Sequence, residues 1–262
     1  MTDYLSVDPF TGQKYSGVRK NAAKIFSQRT DWNGKKVVDL SCGDGVTTYI
    51  LRKLGATVTP YELNTAYCKL DDAPLFANVQ KELPIASESV DLVVLQEVIE
   101  HLPNQLFTIQ EIHRILKPGG ELFITTPSKS SLQARLSFLV FESEHLRSTP
   151  WGALDGVWGE NENGEKYFGH LWLIGIQQLS AFGKIAGFKK TEVHITEFSK
   201  TSLWLMPFFY PFIYLLSRRA LYRDLRHRKN DFNYVSEKNE QFRLNVSPKT
   251  LLSKYSFVSL YK

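Results

Sequence analysis

The sequence predicts an α/β fold in which a mostly parallel sheet is flanked by helices. Between residues 35 and 126, short apolar runs rich in β-branched residues alternate with longer segments of helical periodicity, which is the pattern of βαβ units. The apolar run at 37–40 passes into a glycine-rich turn at 41–45 and then into a helical segment, as nucleotide-binding strands do. The 262 residues, 43% of them hydrophobic, suffice for one such domain with an insertion.

The elements follow one another regularly along the chain. Helices are predicted at 15–28, 46–54, 105–116, 128–147 and 176–186. Strands are predicted at 36–40, 56–61, 75–79, 91–96, 121–126, 188–195 and 255–261. The third helix ends at the Lys-Pro-Gly-Gly sequence of residues 117–120. Residues 148–170 have little periodicity and are interpreted as an irregular functional loop, and the last strand is expected to pair antiparallel with the strand before it.

Charge and cysteine content restrict the class of protein. The net charge of +5 is too small to indicate nucleic-acid binding by itself, and no nucleic-acid partner is expected. The N-terminal residues lack the basic and then apolar pattern of a signal peptide, and the two cysteines, Cys42 and Cys68, offer no disulfide framework. We therefore expect a cytoplasmic protein.

Several short motifs in a fixed order give the chain a family resemblance. They are the glycine turn, Glu62 after the second strand, Leu83-Pro84 with residues 89–94, the sequence EVIEHL at 97–102 and the sequence LKPGGEL at 116–122. This series resembles the class I S-adenosylmethionine-dependent methyltransferases, in the group that includes the quinone and glycan methyltransferases. The resemblance covers residues 35–127, with a weaker match at 170–188 and in the last strand. The glycine pair alone fits a simple tight turn equally well.

The resemblance implies a Rossmann-like class I methyltransferase fold. Such a fold has a mostly parallel seven-stranded sheet with an antiparallel last strand and helices on both faces, here with an apolar and basic insertion before the last strand. The implied organisation has four parts. They are an N-terminal helical segment at 1–34, the methyltransferase domain at 35–196 and 251–262, a substrate-side helix and loop within it at 128–170, and the insertion at 197–250.

The same resemblance implies S-adenosylmethionine as the cofactor. In the family the acid at the position of Asp39 lies near the cofactor's amino group, and the turn accommodates the methionine portion. The turn positions here are Ser41, Cys42, Gly43, Asp44 and Gly45. Ser41 replaces the usual first glycine, at a cost of about 1 kcal/mol if the position requires a positive φ.

Further cofactor contacts follow at the ends of the next strands. Glu62, with Leu63 beside it, resembles the acid that accepts hydrogen bonds from both ribose hydroxyls; a solvated helix cap is the alternative. Asn78 and Val79 fall beside the adenine, where the family often has an acid, and an amide oxygen can still accept from the adenine amino group. Gln96 and Glu97 are placed beside the reacting methyl.

His101 is the candidate general base, with Glu97 and Glu100 as its catalytic neighbours. Histidine titrates near neutral pH, which suits removal of a proton from an acceptor hydroxyl. The alternative is that His101 only shapes the pocket wall or caps a helix. No metal site is predicted.

Aromatic residues in the irregular segment are the candidate acceptor contacts. Trp151, Trp158, Tyr167 and Phe168 would form a wall for a sugar ring or a lipid headgroup, with ordinary loop packing as the alternative. His170 is expected to orient the acceptor or to have a structural role. The predicted substrate residues are Trp158, Tyr167 and His170.

The insertion combines an apolar run with a basic one. Residues 203–216 are all apolar or aromatic and include two prolines; the run is shorter than the roughly 20 residues that cross a bilayer. Residues 217–229 contain six Lys or Arg against one Asp. Residues 203–229 are therefore expected to contact an anionic membrane surface at the cytoplasmic face. A buried hydrophobic hairpin and a dimer contact are the alternatives, and the oligomeric state is not predicted.

These observations predict a membrane-peripheral methyltransferase that O-methylates a sugar of a cell-surface glycan or glycolipid precursor. Methylation of a quinone or another lipid is the first alternative, because the insertion would serve it equally well. A catalytically inactive, cofactor-binding partner protein is the second.

Overall fold

A central sheet of seven strands organises the protein. The computed structural model describes residues 3–143, 152–160, 164–226 and 228–262. The strands are β1 (Lys36–Leu40), β2 (Thr57–Glu62), β3 (Leu75–Phe76), β4 (Val90–Gln96), β5 (Leu116–Pro127), β6 (Val157–Glu160), β7 (Lys166–Phe168), β8 (Lys190–Val193) and β9 (Tyr255–Tyr261). The helices are α1 (Gly17–Ser27), α2 (Val46–Lys53), α3 (Gln105–Ile115), α4 (Leu132–Phe141), α5 (Ile176–Ala186), α6 (Lys200–Leu225), α7 (Phe232–Val246) and α8 (Pro248–Leu252).

The strand order in the sheet is β3-β2-β1-β4-β5-β9-β8. The first five of these strands pair in parallel, whereas β9 is antiparallel to both β5 and β8. This topology confirms the predicted mostly parallel sheet of seven strands with an antiparallel last strand. From β1 the chain adds strands toward one edge of the sheet, and from β4 it adds them toward the other. The gap between β1 and β4 is therefore a topological switch point, where ligands of such folds bind.

Successive residues of the central strands bury opposite faces of the sheet, as the two-residue period of a strand requires. Val38 and Val93 belong to a core cluster with residues of α3 and α5. Val37 and Val94 belong to a second cluster with residues of α1 and α2. Helices therefore cover both faces, and the strands have no water-facing side, which explains their nearly continuous apolar sequences.

Three predicted elements differ from the structure. The strand predicted at 75–79 has only two residues, Leu75–Phe76. The helix predicted from residue 128 begins at Leu132, because the Ser131 hydroxyl accepts a hydrogen bond from Ala134 N–H and caps it; residues 144–151 lie outside the described part of the chain. The segment interpreted as irregular contains the antiparallel hairpin β6–β7.

The insertion is helical. The helix α6 runs through Pro207 and Pro211. Each proline removes one backbone hydrogen bond, yet the helix remains continuous. It packs against α4 through Leu132 and Leu205, together with Leu251 of α8. Among the described residues, none of the helices combines the length and apolar character needed to cross a membrane.

Candidate active site

Three adjoining cavities lie at the carboxyl ends of the parallel strands. The turn cavity, of about 230 Å³, is bounded by the glycine turn, Arg19, Thr47, Gln96 and Glu97. The hairpin cavity, of about 190 Å³, lies between Glu62, Asn78 and the β6–β7 hairpin. The α4 cavity, of about 300 Å³, lies between Glu97, His170 and the first residues of α4 and α6. Ser41 lines the first two and Glu97 lines the first and third, so the three form one continuous site.

The glycine turn requires left-handed backbone at three positions. The φ angles are +65° at Ser41, +56° at Gly43 and +87° at Gly45. A Cβ atom at Gly45 would lie 2.5 Å from Leu70 Cγ, so that position requires glycine. Ser41 therefore adopts the left-handed backbone conformation, which costs free energy for any residue that has a side chain.

Asp39 supports the turn from beneath. Its carboxylate is buried and accepts a hydrogen bond from Thr48 Oγ1 at 2.7 Å. Burial raises the pKa of Asp39 to about 6. On the outer side of the turn, Asp44 pairs with Arg19 at 2.6 Å, and Arg19 also reaches Asp8 at 3.0 Å. Arg19 thus ties helix α1 to the turn.

Glu62 connects the turn with the second strand. Its Oε2 atom accepts from Gly43 N–H at 2.8 Å, and its Oε1 atom accepts from Leu63 N–H at 2.9 Å and Asn64 N–H at 3.2 Å. The carboxylate therefore shapes the loop and also lines the hairpin cavity. Carboxylate oxygens have further lone pairs for ribose hydroxyls.

Asn78 and Val79 form the opposite wall of the hairpin cavity. Asn78 Oδ1 accepts from Gln80 N–H at 2.9 Å, and its Nδ2 donates to Glu165 at 2.9 Å. The carbonyl oxygen of Val79 accepts from Thr108 Oγ1 at 2.9 Å. This wall is thus fixed by bonds to α3 and to the residue that precedes β7.

Gln96 and Glu97 end the fourth strand of the chain at the centre of the site. Gln96 Nε2 donates to Thr47 Oγ1 at 2.5 Å across the turn cavity. Glu97 has a φ of +52°, and its Oε1 atom accepts from Thr125 Oγ1 at 2.8 Å. Because Glu97 faces both the turn cavity and the α4 cavity, it marks their junction.

His101, Glu100 and His170 form a cluster beside that junction. His101 Nδ1 lies 2.6 Å from the carbonyl oxygen of Phe168, and His101 Nε2 lies 4.0 Å from Glu100 Oε1. The rings of His101 and His170 meet edge to face with centroids 5.0 Å apart. Trp158 contacts both rings, at 5.1 Å and 5.8 Å.

Glu100 is fully buried in this cluster. Its Oε2 atom accepts from Thr126 Oγ1 at 2.9 Å, while Oε1 has no hydrogen-bond partner among the described residues. Burial, followed by the nearby Glu97 charge, raises the pKa of Glu100 to about 8. One donor atom from each of Glu100, His101 and His170 lies within 4.8 Å of the others, which is compatible with a metal ion as well as with proton transfer. The sequence analysis places Glu100 beside His101, but it does not predict that His170 joins them.

The predicted substrate residues divide between two cavities. His170 lines the α4 cavity, whereas Trp158 and Tyr167 line the hairpin cavity beside Glu62 and Asn78. The aromatic residues of the hairpin therefore face the side that the resemblance gives to adenosine. Trp151 lies outside the described residues.

Sequence reasoning missed two contributors from the hairpin. The Phe168 carbonyl bonds His101, and the Glu165 carboxylate bonds Asn78. A main-chain carbonyl carries no sequence signal, and Glu165 is distant in sequence from its partner. Threonines at the strand and helix ends, Thr47, Thr48, Thr125 and Thr126, were visible in the sequence beside the predicted motifs and orient their acids and amides.

These residues fit S-adenosylmethionine. The backbone at Gly43 is open, with no atom within 4 Å of a Cβ built there, so a ligand can approach it closely. Glu62 lies beside it, and the turn and hairpin cavities continue into each other at Ser41. An elongated nucleoside with an amino-acid end matches two joined cavities with a carboxylate at the middle.

Comparisons with known proteins agree with this geometry. A family model described as a methyltransferase domain matches residues 16–237. The chain therefore belongs to the methyltransferase domain family. Its fold is that of the class I S-adenosylmethionine-dependent methyltransferases, which confirms the resemblance seen in the sequence. A methyltransferase of known structure from Archaeoglobus fulgidus has the same fold, with a TM-score of 0.53, 12% identity and 92% of each chain covered.

Two curated relatives are named ubiquinone biosynthesis O-methyltransferase. The one from Cupriavidus pinatubonensis is 32% identical over 47% of this chain and 53% of its own length. The human mitochondrial one is 32% identical over 45% of this chain and 36% of its own length. The chain thus matches about half, or less, of the length of these relatives.

Proposed function

We propose that this protein uses S-adenosylmethionine to methylate a hydroxyl group of a quinone-type lipid. The observation that carries this proposal is the position of His101. Its ring lines the hairpin cavity and contacts His170, which lines the α4 cavity. A group able to accept a proton therefore lies between the cofactor side and the side open to an acceptor.

The chain positions the reactants by separate means. When bound, S-adenosylmethionine supplies an electrophilic methyl carbon on a positively charged sulfur. Glu62 would hold the ribose in the middle of this cofactor and the glycine turn its methionine end, and Glu97 lies where the turn cavity meets the α4 cavity. Alignment of an acceptor at that junction supplies much of the rate enhancement, because correct orientation alone removes a large part of the barrier.

His101 takes the acceptor's proton at Nε2. A carbonyl oxygen only accepts hydrogen bonds, so the 2.6 Å contact with Phe168 assigns the ring proton to Nδ1 and leaves the lone pair on Nε2. A deprotonated hydroxyl is the stronger nucleophile. The hairpin thus prepares the base in the tautomer that the reaction requires.

Glu100 responds to the charge that forms on His101. With a pKa of about 8, Glu100 is a neutral acid near pH 7. After proton transfer, a positive imidazolium lies 4.0 Å from Glu100 Oε1, and such a neighbour favours the carboxylate form. In the resting site the neutral acid avoids the cost of an unpaired buried anion.

The acceptor class is supported by the relatives and by the lining of the α4 cavity. Both reported relatives carry the name ubiquinone biosynthesis O-methyltransferase, whereas a glycan acceptor, which the sequence favoured, has no support among them. The cavity combines apolar residues such as Leu173 and Ala134 with the hydroxyl-bearing Ser131 and Ser199. This lining suits an aromatic ring that carries hydroxyl groups.

The helix α6 provides a route from a membrane to that cavity. Its N-cap residue, Ser199, lines the α4 cavity. Beyond it a stripe of apolar side chains at helical spacing is exposed: Trp204, Phe208, Phe212, Leu215 and Leu216. Arg218, Arg219 and Arg223 follow. We therefore assign this surface to an anionic bilayer at the cytoplasmic face; the alternative of a buried hairpin conflicts with its exposure.

The test is an assay of the full chain with S-adenosylmethionine and a polyprenylated catechol in mixed micelles, measured as release of S-adenosylhomocysteine. Parallel assays use the catechol without its prenyl chain and a membrane glycolipid extract. Turnover that is greatest with the prenylated catechol is expected. Turnover with the glycolipid extract alone would instead favour a glycan acceptor. Binding of S-adenosylhomocysteine without turnover on any acceptor would favour the inactive partner.

A further inference from the structure

Glu165 reaches the adenosine side of the site from the hairpin. Its Oε1 atom accepts hydrogen bonds from Asn78 Nδ2 at 2.9 Å and from Lys81 Nζ at 2.5 Å. The Glu165 side chain is only 19% exposed, against 68% for Lys81. Asn78 lines the hairpin cavity, and Glu165 is not among the described residues that do. The hydrogen bond to Asn78 therefore connects Glu165 with this cavity.

The Asn78 amide is held at both ends. Its Nδ2 donates to the carboxylate of Glu165, and its Oδ1 accepts from the backbone N–H of Gln80 at 2.9 Å. A carboxylate only accepts hydrogen bonds and a backbone N–H only donates them. Turning the amide by half a rotation would place oxygen against oxygen at one end and N–H against N–H at the other. The orientation is therefore fixed, and Oδ1 keeps a second lone pair for a ligand.

We propose that Glu165 is a positioning residue for adenine recognition. It holds the Asn78 amide so that Oδ1 is offered to the 6-amino group of the base, and the same bond holds the hairpin over the cofactor. The proposal rests on the proposed function in one respect, that the cavity binds S-adenosylmethionine. One hydrogen bond, between Glu165 and Asn78, thus both holds the hairpin over the cofactor and selects adenine as the base.

The surroundings of the pair support this dual role. Four hairpin residues, Trp158, Lys166, Tyr167 and Phe168, line the same cavity as Asn78. The hairpin therefore forms one wall of the adenosine side, and Glu165 supplies a polar bond between that wall and the opposite one. The family acid expected at position 78 would repel Glu165 at this distance. Asparagine at that position is thus explained by the carboxylate that faces it.

A charge exchange between the two positions tests the bond. In Asn78→Asp two carboxylates face each other, and we expect the affinity for S-adenosylhomocysteine to fall about tenfold, as for loss of one charged hydrogen bond. Combining it with Glu165→Gln restores a donor and an acceptor, and the affinity should return to within about threefold of wild type. Glu160→Gln, an exposed acid on the same hairpin, is the matched control and should bind as wild type does.

Base selectivity separates positioning from a merely structural role. An inosine analogue of S-adenosylhomocysteine presents a 6-oxo group in place of the 6-amino group. The fixed Oδ1 repels this oxygen, whereas the N–H group of a rotated amide would donate a hydrogen bond to it. We expect Glu165→Ala to reduce the preference for adenine over this analogue by about tenfold, through weaker binding of S-adenosylhomocysteine and tighter binding of the analogue. Hydrogen exchange in residues 157–168 should increase in the same variant.

Three results would overturn the proposal. The first is that Asn78→Asp combined with Glu165→Gln binds S-adenosylhomocysteine no better than Asn78→Asp alone. The second is an unchanged base preference in Glu165→Ala, and the third is unchanged hydrogen exchange of the hairpin in that variant. Thermal unfolding of each variant identifies any loss of affinity that arises from misfolding. If wild type itself fails to bind S-adenosylhomocysteine, the proposed function fails first, so the two failures are distinguishable.

Discussion

His101 and Phe168, 67 residues apart in the chain, meet through a hydrogen bond of 2.6 Å between the imidazole Nδ1 and a main-chain oxygen. The bond places the candidate base under the control of the hairpin. It also directs Nε2 away from Phe168, and Nε2 lies 4.0 Å from Glu100 Oε1. The tautomer of His101 is thus set by a residue of the hairpin.

Replacement of His101 by Gln should reduce turnover by about 10²- to 10³-fold, the range that a general base contributes, and change the affinity for S-adenosylhomocysteine by less than about threefold. Steady-state kinetics and calorimetry measure the two effects. His113→Gln is the matched control, since His113 packs on Phe188 outside the site. Wild-type activity that disappears with a chelator and returns with a divalent cation would reassign His101 from base to metal ligand.

Removal of the Glu62 carboxylate should weaken cofactor binding. In Glu62→Ala the N–H groups of Gly43, Leu63 and Asn64 lose their acceptor, so we also expect the free energy of unfolding to fall by about 1–3 kcal/mol. Titration with S-adenosylhomocysteine and denaturant unfolding test both parts. The exposed Glu82→Gln serves as the control. Unchanged affinity in Glu62→Ala would remove this residue from the ribose site.

Glu100 should make the protein less stable as the pH rises. The folded-state pKa of about 8 exceeds the ordinary value of 4.5, so the folded protein binds more protons between these values and the free energy of unfolding falls with rising pH there. Each unit of difference in pKa corresponds to about 1.4 kcal/mol. Glu100→Gln should therefore gain stability relative to wild type between pH 5 and pH 8, measured by urea unfolding. Parallel curves for the two proteins would contradict the buried, protonated state of Glu100.

Binding to vesicles should depend on the basic end of α6. Replacement of Arg218, Arg219, Arg223 and Arg226 by Ser should abolish sedimentation with anionic liposomes, while wild-type binding should weaken with salt. A variant with Ser at four exposed lysines, Lys14, Lys24, Lys36 and Lys53, has the same net charge and should still bind. Wild type that forms a stable dimer and ignores anionic vesicles would identify the surface as a dimer contact instead.

Ser41 should be a site of stored backbone strain. Ser41 has a φ of +65°, which glycine adopts at lower cost. Ser41→Gly should therefore raise the free energy of unfolding by about 0.5–1 kcal/mol, because the relief of the left-handed conformation exceeds the added freedom of the unfolded chain. Glu142, at +52° after α4, provides the comparison outside the site. Glu142→Gly should give a similar gain. A loss of stability in Ser41→Gly would show that the serine hydroxyl, not the backbone, dominates at this position.

The central sheet could be predicted from the sequence because its signals are local. Buried parallel strands need continuous apolar runs, and the turn at Gly43 and Gly45 needs residues that tolerate a positive φ. The same locality explains why Asp39, Glu62 and Glu97 could be placed at strand ends. Asp39 and Glu62 are among the last residues of β1 and β2, and Glu97 directly follows β4. Parallel strands bring these ends to one edge of the sheet.

The hairpin and α6 could not be predicted in the same way. The strand β6 is exposed or partly exposed at all of its four residues, so it lacks the alternation that marks a half-buried strand. Its role depends on contacts such as Glu165 with Asn78, 87 residues apart. In α6, Pro207 and Pro211 are local signals for interruption, and packing against α4 and α8 outweighs them.

The length of α6 limits what a single lipid can do. Twenty-six residues at 1.5 Å each make a rod of about 39 Å, with Ser199 and the acceptor cavity at one end and the arginines at the other. No lipid headgroup spans that distance. If α6 binds a bilayer as proposed, an acceptor in the cavity and the anionic lipid at the arginines must be different molecules. The bilayer would then act as an anchor whose composition can vary independently of the substrate.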